Sequence, residues 1–471
     1  MAYRALLLDV AKDVPAEYPH FATPDAGNWF CDPAAVYRPR RPQASDFYAC
    51  VEDNFEELER VYDERYSKQH GFWRPIIRHV IHEFLDCGDL RCGFARVRCG
   101  SCRSEYLLAF SCKRRYFCPS CHQKRVVLFA ERVEQEVLEK VPIRQYVVTI
   151  PKMLRVFFKH DRKLLGLLSR CFYQTLKQFL QEAYPERQTV PGMIVSIQTY
   201  GDDLLRFHPH LHCLVSDGLF LPGGSFLPVP APDPEVLMRA FRHRLLKALL
   251  AREIITPQMV ELLLSWRHPG FSVYRGDPVQ PDDTAARERL ARYILHAPFS
   301  QERMIYDRSA GTVASKSKKK NGDPENTSCA VTVSPALDWL AALVTHIPDK
   351  GQQLLRFYGR YSNVCQGLKK RAAAAAVQND DKQAQREDDS FRKQCRSNWA
   401  RLIKKIYEVD PLVCPKCHGV LTILSFLENP AVIKRILVHL NLWEVPERSP
   451  PPASTPRDFI YDPDFFRGLA N

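Results

Sequence analysis

From Asp46 to Phe84 apolar residues recur every three or four positions: Phe47, Val51, Phe55, Leu58, Val61 and Tyr62, then Ile76, Ile77, Val80, Ile81 and Phe84. That period predicts amphipathic helices. The pattern breaks over Cys87–Cys121 and returns as a helix over Val126–Val137. Arg144–Ile150 is β-branched and stopped by Pro151, so it reads as a strand. Leu154–Glu182 is again helical. Val190–Thr199 and Phe207–Val215 read as two strands, joined by a Tyr200–Asp203 turn of hairpin type. Pro232–Leu264 is helical. Asp282, Asp283 and Thr284 offer N-caps for a helix reaching about His296. Met304–Lys316 and Ser328–Val333 read as strands around a basic loop over residues 316–320, and Ser334-Pro335 opens a further helix.

The order strand–helix–strand–strand–helix predicts an α+β sandwich built on an antiparallel sheet with flanking helices. Its expected divisions are an irregular arm over 1–45, a helical and cysteine-rich domain over 46–140, a main domain over 141–365, a charged linker or helix over 366–398, a small C-terminal unit over 399–445 and a Pro-rich tail over 446–471. A chain of 471 residues suits several such domains.

Charge adds a partner class. Lys and Arg number 67 against 54 Asp and Glu, a net +13, which favours a polyanion such as nucleic acid. No run approaches a membrane span or a signal sequence, so the expected location is the cytoplasm, on the nucleoid when bound to DNA. In that compartment the sixteen cysteines are expected as thiols or metal ligands rather than disulfides.

Seven of the cysteines fall between Cys87 and Cys121. Cys99-x-x-Cys102 and Cys118-x-x-Cys121, fifteen residues apart, predict one tetrahedral structural Zn²⁺ held by four thiolates. Cys87, Cys92 and Cys112 could form a second site or replace a ligand, and are read here as packing. Cys414-Pro-Lys-Cys417 is either half a knuckle, with Cys395 as a further donor, or a turn with two free thiols. Arg114, Arg115, Lys124 and Arg125, interleaved with Tyr106, Phe110, Tyr116 and Phe117, make a phosphate- and base-contacting surface around the knuckle.

Phe207–Val215 reads FHPHLHCLV. On an extended strand His208, His210 and His212 share one face while Leu211 and Cys213 take the other. Imidazoles so placed form a platform for a metal with open positions, suited to polarising a phosphoryl oxygen. Ligand type alone leaves zinc and other divalent ions open.

His210-Leu211-His212 matches the His–hydrophobic–His strand of HUH endonucleases. The chain more specifically resembles rolling-circle transposases of the insertion-sequence 91 family and related common-region elements. The matching runs are Ser111–Cys121, Val147–Lys152, Phe207–Val215 with Asp217-Gly218, Leu290–Tyr293, Phe357–Asn363 and Asp410–Cys417, over roughly residues 45–445.

The resemblance implies an HUH core of ferredoxin- or RRM-like type, with Mg²⁺ or Mn²⁺ on His210 and His212 and His208 or His296 as candidate third ligands. It also implies a tyrosine nucleophile at Tyr293. Some members carry a second tyrosine four residues away, but here Arg289 stands four before Tyr293, as in a one-tyrosine enzyme. The implied reaction nicks and joins single-stranded element ends and target DNA through a 5′-phosphotyrosine. Arg287, Arg289 and Arg292 flank that tyrosine as candidate backbone contacts, and self-association into a homo-oligomer is left open. Two competing readings are a replication or relaxase-type nicking protein with the same site, and a zinc-dependent DNA-binding regulator with no use for the histidine strand.

Overall fold

The computed structural model describes residues 42–201, 206–267, 270–299, 301–316, 331–377, 413–414 and 416–443. Residues 1–41 of the expected arm, Asp202 and Asp203 of the expected turn, the basic residues after Lys316, most of the charged linker and the Pro-rich tail lie outside them.

Helix α1 (Asp46–Arg65) starts where Ser45 accepts a hydrogen bond from the Tyr48 amide, and α2 (Pro75–Leu85) has proline in its first turn. The hairpin β1 (Phe94–Cys99) and β2 (Glu105–Ala109) follows. Next comes α3, which spans Pro119–Arg132 with Cys118 as N-cap. It begins well before the expected Val126, because Pro119 fits the first turn of a helix.

The main sheet has the order β12-β4-β5-β3-β8. Its strands are β3 (Ile143–Thr149), β4 (Gly192–Gln198), β5 (His210–Ser216), β8 (Ser272–Arg275) and β12 (Leu355–Gly359), with every neighbouring pair antiparallel. The small hairpin β6 (Gly218–Phe220) and β7 (Phe226–Pro228) follows β5. The edge strands β8 and β12 are short and lacked a clear alternation in sequence.

Because side chains alternate across a strand, the sheet has two distinct faces. Tyr146, Val148, Leu211, Cys213, Val215, Met193, Val195 and Ile197 form one, packed on α4 (Leu164–Gln181) and α5 (Pro234–Leu250) in the largest core. Each fully buried aliphatic or aromatic side chain there contributes about 1.5–3 kcal/mol. Helix α6 (Pro257–Ser265) adds Leu263 to the same core.

The opposite face carries Ile194 and Leu214, covered by α3 and by α7 (Thr284–Tyr293) through Val126, Phe129, Ala130 and Ala291. Beyond those residues the same face carries His210 and His212.

A second core joins α1 and α2 to the sheet β9 (Met304–Asp307), β10 (Thr312–Lys316) and β11 (Val331–Pro335) and to α8 (Ala336–Val344). Helix α9 (Asn363–Val377) follows β12. Near the C-terminus lie β13 (Leu421–Leu427) and α10 (Pro430–His439). Strand β13 pairs antiparallel with β1, giving the order β13-β1-β2.

Candidate active site and cysteine clusters

Strand β5 lies between β4 and β3, so its side chains are closed in from both sides. His210 and His212 are 8 % and 4 % exposed, and burying two imidazoles is tolerable only if their nitrogens have fixed partners. His210 Nδ1 lies 2.8 Å from the His208 carbonyl. A carbonyl can only accept, so Nδ1 carries the proton and Nε2 presents its lone pair. The Gln145 amide lies 3.3 Å from His212 Nδ1. The two Nε2 atoms stand 3.1 Å apart, His212 donating to His210 in a hydrogen bond that a shared cation would replace. A cation about 2.1 Å from each nitrogen spaces adjacent octahedral ligands by about 3.0 Å. The pair therefore fits two neighbouring corners of a coordination sphere.

Helix α7 brings up the phenol. Asp283 caps it by accepting from the Ala286 amide at 2.8 Å. Tyr293, its last residue, is half exposed, with its ring centroid 5.5 Å from that of His212.

The backbone just beyond is fastened at three successive carbonyls, groups that a helix end leaves without internal partners. Gln198 donates to Ile294 O at 3.0 Å, His122 to Leu295 O at 2.8 Å, and Tyr200 to His296 O. The Tyr116 amide donates to His122 Nδ1 at 3.2 Å, which leaves the proton on Nε2 for Leu295. Burial pushes the His122 pKa down and keeps the ring neutral. The position of Tyr293 thus depends on β4 and on α3, the helix that starts at Cys118.

His208 precedes β5 rather than lying on it. Its ring is 5.1 Å from that of His210, and its Nε2 is buried without a hydrogen-bond partner. His296 comes closer to the phenol side, with ring centroids 5.8 Å from His212 and 5.6 Å from Tyr293. Sequence reasoning missed Gln198. It pairs with His210 across β4 and β5, so it shares that face, and its carboxamide oxygen is buried without a partner. A polar residue closing a largely apolar strand was the available signal.

The expected zinc quartet does not assemble. Cys118 and Cys121 group with Cys87 and Cys112, whereas Cys99 and Cys102 group with Cys414 and Cys417. The β1–β2 hairpin is the cause. Cys87 and Cys112 lie at its base, where the Gly88 amide donates to Phe110 O at 2.9 Å. Cys99 and Cys102 sit at its tip, about 17 Å away at the usual strand rise.

Cys87 and Cys112 are therefore candidate ligands rather than packing. In the first cluster Cys87 Sγ is 3.9 Å from both Cys118 and Cys121, and Cys112 Sγ is 3.6 Å from Cys121. Four sulfurs about 2.3 Å from a tetrahedral zinc stand about 3.8 Å apart. Cys118 and Cys121 also occupy the N-terminal end of α3, where the helix dipole favours thiolate.

The basic residues divide in the same way. Arg115, Arg125 and Arg289 are exposed and Lys124 is half-buried. Arg114 is paired with Glu83, and Arg292 bonds Glu288 at 2.7 Å. Arg287 is fully buried, held by Glu134 at 3.0 Å and donating to the Val141 and Glu139 carbonyls. It ties α7 to residues 134–141.

A family described as "Transposase zinc-binding domain" matches residues 58–150, and one described as "Putative transposase" matches 192–369. Among curated proteins, "Putative transposase y4qJ" of Sinorhizobium fredii is 26% identical over 336 residues, covering 64% of this chain and 79% of that one. "Transposase for insertion sequence element IS801" of Pseudomonas savastanoi pv. phaseolicola is 26% identical over 313 residues, covering 63% and 73%. No solved structure matches significantly.

The first matched range holds both cysteine pairs of the hairpin and α3; the second holds His210, His212 and Tyr293. The chain is a transposase, an enzyme that cuts and joins nucleic acid. Its two matched ranges, a transposase zinc-binding domain followed by a transposase domain, make it similar to transposases of the insertion-sequence 91 type. Among the described residues no helix is long and apolar enough to cross a membrane.

Proposed function

We propose that this transposase nicks and rejoins single-stranded DNA, with Tyr293 as nucleophile, in a rolling-circle type of transposition. The observation that carries the reading is the phenol ring lying 5.5 Å from His212, on the face where the two Nε2 atoms converge. Tyr293 Oη attacks the scissile phosphorus. A Tyr–O–P bond forms, the P–O3′ bond breaks, the phenol gives up its proton and the leaving 3′ oxygen takes one. The products are a 5′-phosphotyrosine and a free 3′-OH. One phosphoester replaces another, so a later 3′-OH reverses the step without an external energy source.

His210 and His212 fit a divalent cation, Mg²⁺ or Mn²⁺ in this reading, with the orphaned Gln198 oxygen on the same face of the sheet; among the described residues neither His208 nor His296 groups with the pair as a third ligand. Such an ion, when bound, supplies charge neutralisation at the phosphoryl oxygens. The chain's own residues orient the reactants. Gln198, His122 and Tyr200 hold the turn after Tyr293, while Arg115, Lys124, Arg125 and Arg289 supply backbone contacts to the strand. In this reading residues 141–365 form the catalytic domain and 46–140 a zinc-stabilised DNA-binding domain.

The test is covalent capture. Wild-type protein, labelled single-stranded element ends and Mn²⁺ give an adduct that survives denaturing electrophoresis. Tyr293→Phe gives none and keeps its DNA affinity. Failure of the wild type to form the adduct, or an undiminished adduct from Tyr293→Phe, removes Tyr293 from the reaction.

A further inference from the structure

Four sulfurs from distant parts of the chain meet where β1 ends. Cys99 closes β1 and Cys102 lies in the turn after it, while Cys414 and Cys417 lie in the turn that leads into β13. Cys99 Sγ stands 3.5 Å from Cys417 Sγ, and Cys102 Sγ 3.6 Å from Cys414 Sγ. All four sulfurs lie within 4.8 Å of one another. A disulfide needs about 2.05 Å, whereas a tetrahedral zinc thiolate cage has edges of about 3.8 Å. The spacing is that of a cage.

The two turns are built alike. The Cys99 amide donates to Ser104 O at 2.9 Å and the Arg103 amide to Cys99 O at 3.1 Å. The Cys414 amide donates to Gly419 O at 2.8 Å and the His418 amide to Cys414 O at 2.9 Å. The residue after the second cysteine is left-handed in both, φ 58° at Arg103 and 56° at His418. Non-glycine residues adopt that conformation at a cost, and here both turns do so at the same position.

The turns also fit against each other. A Cβ on Gly419 would come within 2.5 Å of Ser101 Oγ and 3.1 Å of Cys99 Sγ. The Gly100 amide donates to Val420 O at 3.1 Å. Among the described residues the buried core around this junction is Val97, Cys99, Cys414 and Leu421, with Tyr106, Leu108 and Ile423 packed against it. An apolar cluster that small needs a staple.

We infer that Cys99, Cys102, Cys414 and Cys417 hold a second Zn²⁺, distinct from an ion on Cys87, Cys112, Cys118 and Cys121. Half of its ligands lie outside both family-matched ranges. It fastens β13 to β1 across a sequence separation of 312 residues, so the histidine sheet and Tyr293 lie within the loop it closes.

The test is metal content of the full chain, purified under reducing conditions with zinc in the growth medium. Wild type holds two zinc ions per chain and Cys414→Ser/Cys417→Ser holds one. One ion in wild type, or two in the double variant, overturns the second site. A second measurement on wild type covers failure of the variant to fold. Cys102 and Cys417 are exposed, yet bound zinc makes both slow to alkylate, and chelation makes both fast. Equal alkylation before and after chelation overturns the site. Neither readout depends on DNA cleavage, so the site and the catalytic reading stand or fall separately.

Discussion

The histidine site and the cysteine clusters both gather donor atoms, but from very different distances along the chain. His210 and His212 are two residues apart on one strand, and strand geometry alone puts them on the same face. The cysteines arrive as three short pairs and, in Cys87 and Cys112, as single residues far apart, and which of them meet is set by the hairpin, α3 and β13. Local periodicity therefore specifies a donor pair, while tertiary pairing specifies which pairs share an ion. The two regions also differ in what their ions should do. The cysteine clusters offer four sulfurs each, whereas the buried histidine pair lies beside a half-exposed phenol.

That contrast sets the largest expected effect. His210→Ala/His212→Ala should lower single-strand cleavage by about 10³-fold or more, the scale of losing a metal-assisted step. Zinc content and melting temperature should stay close to wild type, as cleavage and metal content measured on the same preparation will check. A comparable loss of zinc or folding would erase the distinction between the two regions.

A smaller effect probes the link between them. His122→Ala removes the donor to Leu295 O next to the Tyr293 turn. One such buried hydrogen bond is worth about 1–2 kcal/mol. Cleavage should fall about tenfold with KM for the DNA little changed, and a His122→Gln variant should recover part of it. A wild-type rate in His122→Ala would show that α3 does not position Tyr293.

The smallest effect concerns the exposed Arg289. Arg289→Ala should weaken DNA binding about equally across sequences and reduce the slope of log K against log salt by about one. An unchanged salt slope would take this side chain off the DNA path.

The legible part of the molecule follows the same division. Helices over 46–85 and strands β3, β4 and β5 were readable because their apolar period is unbroken. The helix ending in Tyr293 was readable from Asp283 as its cap. Tyr293 itself was found through family resemblance, since nothing local separates it from Tyr358 or Tyr361. Tyr361 proves to be fully buried against the sheet, and Tyr358 stacks on Tyr173 at 4.7 Å.

Other features were hidden for physical reasons. Arg287 looked like a phosphate contact, but its partner Glu134 lies 153 residues away. Gln198 gains its meaning only from pairing with His210 across the sheet. The thiolate quartets were missed because proximity in sequence favoured Cys102 and Cys118, whereas the hairpin sends them to opposite ends. Cys414 and Cys417 found their partners through the β1–β13 register, which no short-range pattern encodes.

The central claim is that the two imidazoles of β5 hold the cation beside which the phenol of α7 reacts. Pulsed electron paramagnetic resonance of Mn²⁺ bound to the full chain tests it most directly. The account predicts ¹⁴N couplings from two histidines that vanish in His210→Ala/His212→Ala and persist in Tyr293→Phe, together with perturbed couplings when a single-stranded oligonucleotide is added. Mn²⁺ without nitrogen coupling, or couplings that survive loss of both histidines, would contradict it.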